Sequence, residues 1–394
     1  MKRDRIWTKD FIVLLASNFF VSLSFYLLLT SMAVYAMKYF HATKSSAGLA
    51  ASIFVIGALA ARLYAGKFID VVGRKKMLYS GLGLFFAGSM AYLFVTGIGC
   101  LMLIRFVHGV GFGISTTVLT TANMSTLPPS RRGEGIGYFS LSNAAGTAIG
   151  PFFALYLVNH FGYSMMFIFS IIFSSFALIL GVMAKITEID LSHEEKEKIK
   201  RSFGMNDFYE KKAFPVAFLM FIGGIAYSGI VSFINSYAIQ MNLSHAASYF
   251  FVVYALFLFL IRPVAGKLFD QKGENIVMYP SFLFFAVSLL CITMARTGFL
   301  LLLAGILLAM GYGTLMSSVQ TIVGKVSPPH RLGLGISTFY ICMDSGMGIG
   351  PYILGLIAEG VGFQVMYIML AVAVFCLIPA YYLVHGKKAG IERV

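Results

Sequence analysis

Twelve apolar runs of membrane-spanning length fill this chain, at about 11–36, 46–66, 77–97, 99–122, 134–158, 163–185, 213–238, 246–266, 276–295, 298–322, 333–357 and 362–385. A run of about 20 residues, at 1.5 Å per residue, crosses a hydrocarbon core of roughly 30 Å. A bilayer offers no water to unpaired backbone groups, so only helices or a closed barrel can span it. Barrel strands would alternate over about 10 residues, whereas these runs are longer and continuously apolar. The sequence therefore predicts an all-α polytopic membrane protein. Composition agrees: 59% of the 394 residues are hydrophobic and only 12% are charged, about half the charged share of a soluble domain. The first run is too long for a signal peptide and has no small-residue cleavage site, so it reads as the first spanning helix.

The net charge of +14 sorts by side. With the N-terminus inside, the inner segments hold 24 of the 30 Lys and Arg, among them Lys2, Arg3, Arg131, Arg132, Lys211, Lys212, Lys387 and Lys388. The outer loops hold three, Lys38, Lys44 and Arg296, and Arg62, Arg105 and Arg262 lie within helices. This asymmetry predicts a multi-pass protein of the cytoplasmic membrane with both termini in the cytoplasm. It explains the charge without a nucleic-acid partner. Cys100, Cys291, Cys342 and Cys376 show no metal or redox spacing and are expected as small apolar core residues. No metal, cofactor or enzyme activity is expected: H-E-x-x-H, P-loop and nucleophile-elbow patterns are missing from the sequence.

The chain repeats itself. "AGKFIDVVGRKKMLYS" at 65–80 returns as "AGKLFDQKGENIVMYP" at 265–280. The offset of 200 also pairs Arg62 with Arg262, Gly111 with Gly311, Pro128 with Pro328, Arg131 with Arg331, Gly150 and Pro151 with Gly350 and Pro351, and Gly162 with Gly362. Two homologous six-helix halves follow, 1–185 and 213–394, joined by a cytoplasmic linker over 186–212. An even helix number per half makes the repeats parallel. Within the linker, "HEEKEKIKRSF" reads either as a short amphipathic helix on the membrane face or as a solvated tether.

Several polar residues interrupt the apolar runs. In "LIRFVHGVGFGIS", Arg105, His108, Phe112 and Ser115 share one helical stripe. An arginine about 9 Å inside the outer end of its helix is costly unless it meets a partner or a cavity, or snorkels outward. His108 can either titrate near neutrality or sit neutral and hydrogen-bonded. In "SNAAGTAIGPFFA", Ser142, Gly146, Gly150 and Ala154 form a small-residue stripe for close helix packing, and Pro151 bends the helix. Of the 16 acidic residues, Glu134 sits where an acid suits a helix N-terminus. Asp344 alone lies deep in an apolar run, roughly 16 Å along it. It can exchange a proton, meet a cationic substrate, or be a structural aspartate. A polar and aromatic cavity lining is expected from Asn18, Tyr26, His108, Asn143, Tyr227, Asn235, Gln320, Tyr340 and Asp344.

Twelve helices in two parallel repeats, together with Gly66, Asp70, Gly73, Arg74, Lys75 and Lys76 in the loop pattern G-x-x-x-D-x-x-G-R-[RK]-[RK], resemble the major facilitator superfamily. The resemblance covers nearly the whole chain; the second copy of the loop departs from the pattern after Gly273. It implies a conformational latch made by Gly66, Asp70, Gly73, Arg74 and Lys75, with Asp70 against the N-terminal end of the eleventh apolar run, 333–357; the alternative is a purely topogenic loop. Helix 4 resembles the family pattern R-x-x-Q-G-x-G with His108 in place of Gln. Helix 5, with Gly146, Gly150 and Pro151, resembles the exporters' pattern G-x-x-x-G-P-x-x-G, with Ala154 at its last glycine. The function expected from these likenesses is proton-coupled antiport, exporting a small amphipathic drug or metabolite by alternating access. Proton coupling is expected at Asp344, Arg105, His108 and Glu134. The partners are then a small-molecule substrate, protons and the lipid bilayer, with a monomeric chain. The alternative is a proton symporter or facilitator for uptake of a sugar or organic acid.

Overall fold

The computed structural model describes residues 5–204 and 207–391; Lys2, Arg3, Asp4 and Glu392 lie outside them. Its helices are α1 (Lys9–Phe40), α2 (Lys44–Val72), α3 (Arg74–Ala91), α4 (Ile98–Thr126), α5 (Arg132–Phe161), α6 (Tyr163–Met183), α7 (His193–Arg201), α8 (Phe214–Gln240), α9 (Ser244–Lys272), α10 (Glu274–Met294), α11 (Gly298–Leu308), α12 (Thr314–Val326), α13 (Leu332–Tyr381) and α14 (Lys387–Ile391). A π-helical turn, Ala309–Gly313, joins α11 to α12. Among the described residues, eleven runs are long and apolar enough to cross a membrane. The last of them, Pro329–Ala389, has 61 residues, about twice what one crossing needs. Gly362 breaks it with φ 82, so it supplies two crossings, as the apolar runs at 333–357 and 362–385 predict.

Among the described residues four glycines adopt positive φ: Gly73 (98), Gly162 (82), Gly273 (95) and Gly362 (82). That region is open to glycine at no steric cost. The four pair at the 200-residue offset, so the repeat is written in the backbone turns as well as in the sequence. Packing repeats it too. A Cβ added at Gly111 would lie 2.5 Å from the Phe85 nitrogen, and one added at Gly311 would lie 2.5 Å from the Phe285 nitrogen.

The chain divides into two compact units. The first comprises Met1–Pro128, Ser142–Glu210 and Pro328–Thr338; the second comprises Pro129–Leu141, Lys211–Ser327 and Phe339–Val394. In the first unit α4 lies along α2 and α3, and α1 lies along α6. Glycines set these distances: a Cβ at Gly109 would meet the Phe54 carbonyl at 2.0 Å, and one at Gly113 the Ala58 carbonyl at 2.5 Å. Backbones this close gain dispersion contacts, which replace the hydrophobic drive that lipid cannot supply. In the second unit α11 packs on α9 and α10.

The linker contains a helix, α7. Its Ser192 hydroxyl accepts from the Glu195 N–H at 3.2 Å, and Glu195 accepts from the Ser192 N–H at 2.8 Å. This reciprocal cap starts a helix of only nine residues. The cysteines differ from expectation. Only Cys342 is buried; Cys100 and Cys291 are half-buried and Cys376 is exposed. On a membrane-length helix an exposed thiol carries no burial cost, because lipid tails solvate it.

Candidate functional site

In the first unit, Arg62, Gly66 and Asp70 recur at i, i+4 and i+8 on α2, hence near one face. That face meets residues 328–338. A Cβ at Gly66 would lie 2.4 Å from that of Ser337, and one at Gly333 would lie 2.3 Å from Ile69. The Ser337 hydroxyl donates to the Arg62 carbonyl. Asp70 is buried and accepts from Arg74 Nε at 2.7 Å. Arg74, 1% exposed, also donates to the Ser125 hydroxyl at 2.8 Å and to the Pro329 carbonyl at 3.4 Å. Asp70 thus addresses the 328–338 segment through Arg74, and its own hydrogen-bond partner is that arginine. The physical reason is the turn at Gly73, which sets Arg74 one helical turn beyond Asp70.

Glu188 of the linker caps α3: its two carboxylate oxygens accept from Arg74 N at 2.7 Å and from Lys75 N at 2.8 Å. A cavity of about 470 Å³ opens beside this cap, lined by Asp70, Gly73, Lys76, Glu188, Asp190 and Lys196 among others. Further along the linker, the Lys67 ammonium donates to the Ser202 carbonyl. It also sits over the rings of Phe203 (3.7 Å), Phe208 (4.7 Å) and Phe68 (5.0 Å). Three aromatic faces replace part of the hydration that a buried ammonium loses.

The second unit repeats the design with different chemistry. Arg262, Gly266 and Asp270 share a face of α9, and that face meets residues 129–141. A Cβ at Gly266 would lie 2.4 Å from the Gly133 carbonyl. Asp270 accepts the N–H groups of Gly133 and Glu134, each at 2.8 Å. A carboxylate is thus placed on the unpaired donors and positive dipole end of α5. The Glu134 side chain itself pairs with Arg131 at 2.8 Å.

Mid-span residues gather within each unit. In the first, Arg105 is fully buried, donates from Nε to the Ala50 carbonyl at 3.1 Å and lies 4.7 Å from the Phe54 ring centre. His108 is fully buried and stacked on Phe85 at 4.2 Å. Its ring nitrogens contact the hydroxyls of Ser89 and Tyr92, each at 3.2 Å. A chain of hydroxyls continues from Ser89 to Ser170 (3.4 Å) and Ser24 (2.8 Å). Asn18 donates to the Ser142 hydroxyl at 2.6 Å and to Asn143 Oδ1 at 3.4 Å, and Ser22 donates to the same Asn143 oxygen. Gly146 and Gly150 let α5 approach α1: an added Cβ would meet that of Ser22 at 2.8 Å or that of Tyr26 at 2.6 Å. Pro151 follows inside α5.

In the second unit Gln320 donates to the Tyr340 hydroxyl at 3.2 Å. Tyr340, Asp344 and Met347 follow at i, i+4 and i+7 on α13, so they share a face; Asp344 is half-buried. The Tyr312 hydroxyl reaches the Met347 sulfur at 3.9 Å, and its ring stacks on Tyr227 at 4.1 Å and 9°. Tyr254 lies 6.2 Å from Tyr227. Asn235 is exposed on α8. The residues expected to move protons therefore divide: Arg105 and His108 fall in the first unit, Glu134 and Asp344 in the second.

Sequence reasoning passed over Glu188, Lys67, Asp270, Arg262 and Tyr312. Glu188 gave no signal, because its partners Arg74 and Lys75 lie 114 and 113 residues away. The signal for Asp270 and Arg262 was present, since both repeat at the 200-residue offset. The second copy of the loop departs from the family pattern after Gly273, so the resemblance assigns Asp270 no role.

A helical membrane chain with paired repeats, polar residues at mid-span and charged clamps at one end of each repeat is built as a transporter. A Major Facilitator Superfamily profile matches residues 14–295 and 244–393. The chain belongs to that superfamily. It is similar to the staphylopine export protein of Staphylococcus aureus, with 24% identity over 87% of this chain and 88% of the relative. Multidrug resistance protein 2 of Bacillus subtilis is 26% identical, covering 70% of each chain. The riboflavin transporter RibZ of Clostridioides difficile is 22% identical over 75% of this chain and 76% of its own. Among solved structures, the human organic anion transporter MFSD10 superposes with a TM-score of 0.74 at 16% identity, over 96% of this chain and 99% of its own; that likeness concerns the fold.

Proposed function

We propose that this transporter is a proton-coupled antiporter that exports a small amphipathic drug or metabolite across the cytoplasmic membrane. The chain acts as a monomer with both termini in the cytoplasm and takes no cofactor. The observation that carries the reading is Asp344. It is an acid on an apolar membrane-length helix, on the face it shares with Tyr340 and Met347. Desolvation penalises a charged carboxylate in such a place, so the group can alternate between neutral and ionised forms as its surroundings change. Tyr227, Tyr312, Tyr340 and Gln320 supply aromatic faces and a few polar groups, the lining that small-molecule sites use.

Export is favoured over uptake by two relatives whose names specify export or drug resistance. It is also favoured by the close packing of Gly146 and Gly150 on α1. In this reading the α2 and α9 faces clamp residues 328–338 and 129–141 in one state of the cycle and release them in the other. The test is efflux from energised cells that overproduce the protein, using a panel of amphipathic dyes and metabolites, with and without a protonophore. Lowered accumulation that the protonophore abolishes is the expected result. Raised accumulation of a sugar or organic acid would replace this reading with symport.

A further inference from the structure

Arg262 touches three elements at once. It is 2% exposed within α9, where an arginine is tolerated in a membrane helix only if its charge is met. Nη1 donates to the Ser140 carbonyl in α5, and Nε donates to the Gly313 carbonyl at 3.2 Å. Nη2 lies 3.7 Å from the Met316 sulfur on α12. Gly313 closes the π-helical turn Ala309–Gly313. A π turn opens the regular carbonyl ladder and is found mostly where a helix serves a site. Here it carries Tyr312, which stacks on Tyr227 and reaches Met347, three residues beyond Asp344.

The position of Arg262 on α9 matters as much as its bonds. Gly266 and Asp270 follow at i+4 and i+8, and all three engage the 129–141 segment: Arg262 at Ser140, Gly266 at Gly133, Asp270 at Gly133 and Glu134. Asp270 contacts that segment without touching the π turn. Arg262 contacts both. Its planar guanidinium presents several donors in one rigid plane, so the carbonyl of Ser140 and the carbonyl of Gly313 are held in a fixed relation. Departure of one leaves the fork free to tilt away from the other.

We propose that Arg262 is a positioning residue: it couples engagement of the 129–141 segment to the π turn at Ala309–Gly313, and so sets Tyr312 on the face that bears Asp344. When the 129–141 segment leaves α9, the guanidinium loses Ser140 and the π turn loses its fixed anchor, which loosens the Tyr312 side of the site. The use of this coupling in a transport cycle rests on the antiport reading above. The measurement below is made without substrate or gradient, so its failure is separate from failure of that reading.

The test is amide hydrogen exchange of the purified full chain in lipid nanodiscs, compared among wild type, Arg262→Gln, Arg262→Lys and Asp270→Asn. Loss of a charge-assisted bond predicts exchange about tenfold faster or more where it acted. Arg262→Gln is expected to speed exchange in both 129–141 and 305–316, leaving α10 at the wild-type rate. Arg262→Lys, which keeps the charge but not the fork, is expected to show a smaller rise in the same two segments. Asp270→Asn, which weakens engagement of 129–141 but leaves the Arg262 fork in place, is expected to speed exchange in 129–141 and, to a smaller extent, in 305–316. A rise in only one of the two segments for both arginine variants overturns the proposal. So does an equal rise throughout 211–327, which would make Arg262 a general packing residue. If Arg262→Gln fails to fold, Arg262→Lys alone decides between these outcomes.

Discussion

The carboxylate of Asp270 accepts the backbone N–H of Gly133 at 2.8 Å and that of Glu134 at the same distance. Its counterpart 200 residues earlier, Asp70, is held instead by Arg74 at 2.7 Å. The two copies of the loop therefore do different work. Where Arg74 follows Gly73, the carboxylate is neutralised by a side chain. Where Glu274 follows Gly273, no such arginine competes, and Asp270 is left to cap a helix. Glu274 turns the other way, to Lys325 at 3.1 Å and to His385.

Asp270→Asn is expected to impair transport more than Asp70→Asn. The amide introduced by Asp270→Asn would keep one acceptor and lose the charge, removing a dipole term of about 0.3–1 kcal/mol and weakening two charge-assisted bonds. The amide introduced by Asp70→Asn would still accept from Arg74. Efflux rates of the two variants at matched expression check this, and a larger loss for Asp70→Asn would refute it.

Glu188→Ala is expected to lower stability by about 0.5–2 kcal/mol, the usual cost of deleting an N-cap acceptor. The loss should be local, seen as faster amide exchange at Arg74 and Lys75 with no change at α6. Glu188→Gln keeps an acceptor and should recover most of the effect. Equal exchange in wild type and Glu188→Ala would mean that water caps α3 as well as the carboxylate does.

Lys67→Met keeps the apolar stem and removes the ammonium that Ser202, Phe203, Phe208 and Phe68 surround. A cation–π contact contributes about 0.5–2 kcal/mol, so the linker should detach more often. Trypsin cleavage in the 201–212 stretch of the purified protein should speed up several-fold. Cleavage at the wild-type rate would show that Arg331 holds the strap, through its 2.5 Å pair with Glu210.

Gly150→Leu should abolish transport and lower thermal stability, because a side chain there would enter the space of Tyr26, whose Cβ lies 2.6 Å from an added Cβ. Overpacking of this kind costs about 1–3 kcal/mol or more. Gly83→Leu is the control, since a Cβ there meets nothing within 4 Å. Wild-type efflux by Gly150→Leu would sink the close-packing account of α5.

What the sequence revealed followed from its periodicities. Apolar runs marked the helices, and the 200-residue offset marked the repeat down to Gly73 with Gly273 and Gly162 with Gly362. Polar residues at mid-span were legible because lipid makes them expensive, which is why Asp344, Arg105 and His108 stood out. Pairings between distant segments were not legible. Nothing near Glu188 says that it caps a helix begun at Arg74. The π turn at Ala309–Gly313 leaves the apolar pattern of its run unchanged, so Tyr312 gave no sign of its stack on Tyr227. Asn235, expected in the cavity lining for its polarity, is exposed on α8.

Asp344→Asn bears most directly on the mechanism. Coupling needs a group that is protonated in one state of the cycle and ionised in the other. Asp344 can be such a group because it sits on an apolar membrane-length helix, and because its face also carries Tyr340, bonded to Gln320. Asn is nearly isosteric and cannot release a proton. The variant is therefore expected to lose uphill, proton-driven efflux while keeping downhill substrate exchange, since the shape of the face survives. Asp344→Glu should keep the proton chemistry but displace the carboxylate by one methylene, giving coupled transport at a reduced rate. The measurement is substrate-induced proton movement in proteoliposomes under an imposed pH gradient, with a substrate taken from the efflux screen. Proton movement by Asp344→Asn at the wild-type rate would remove Asp344 as the carrier. Attention would then pass to His108 and to Glu134, which pairs with Arg131 at 2.8 Å at the start of α5.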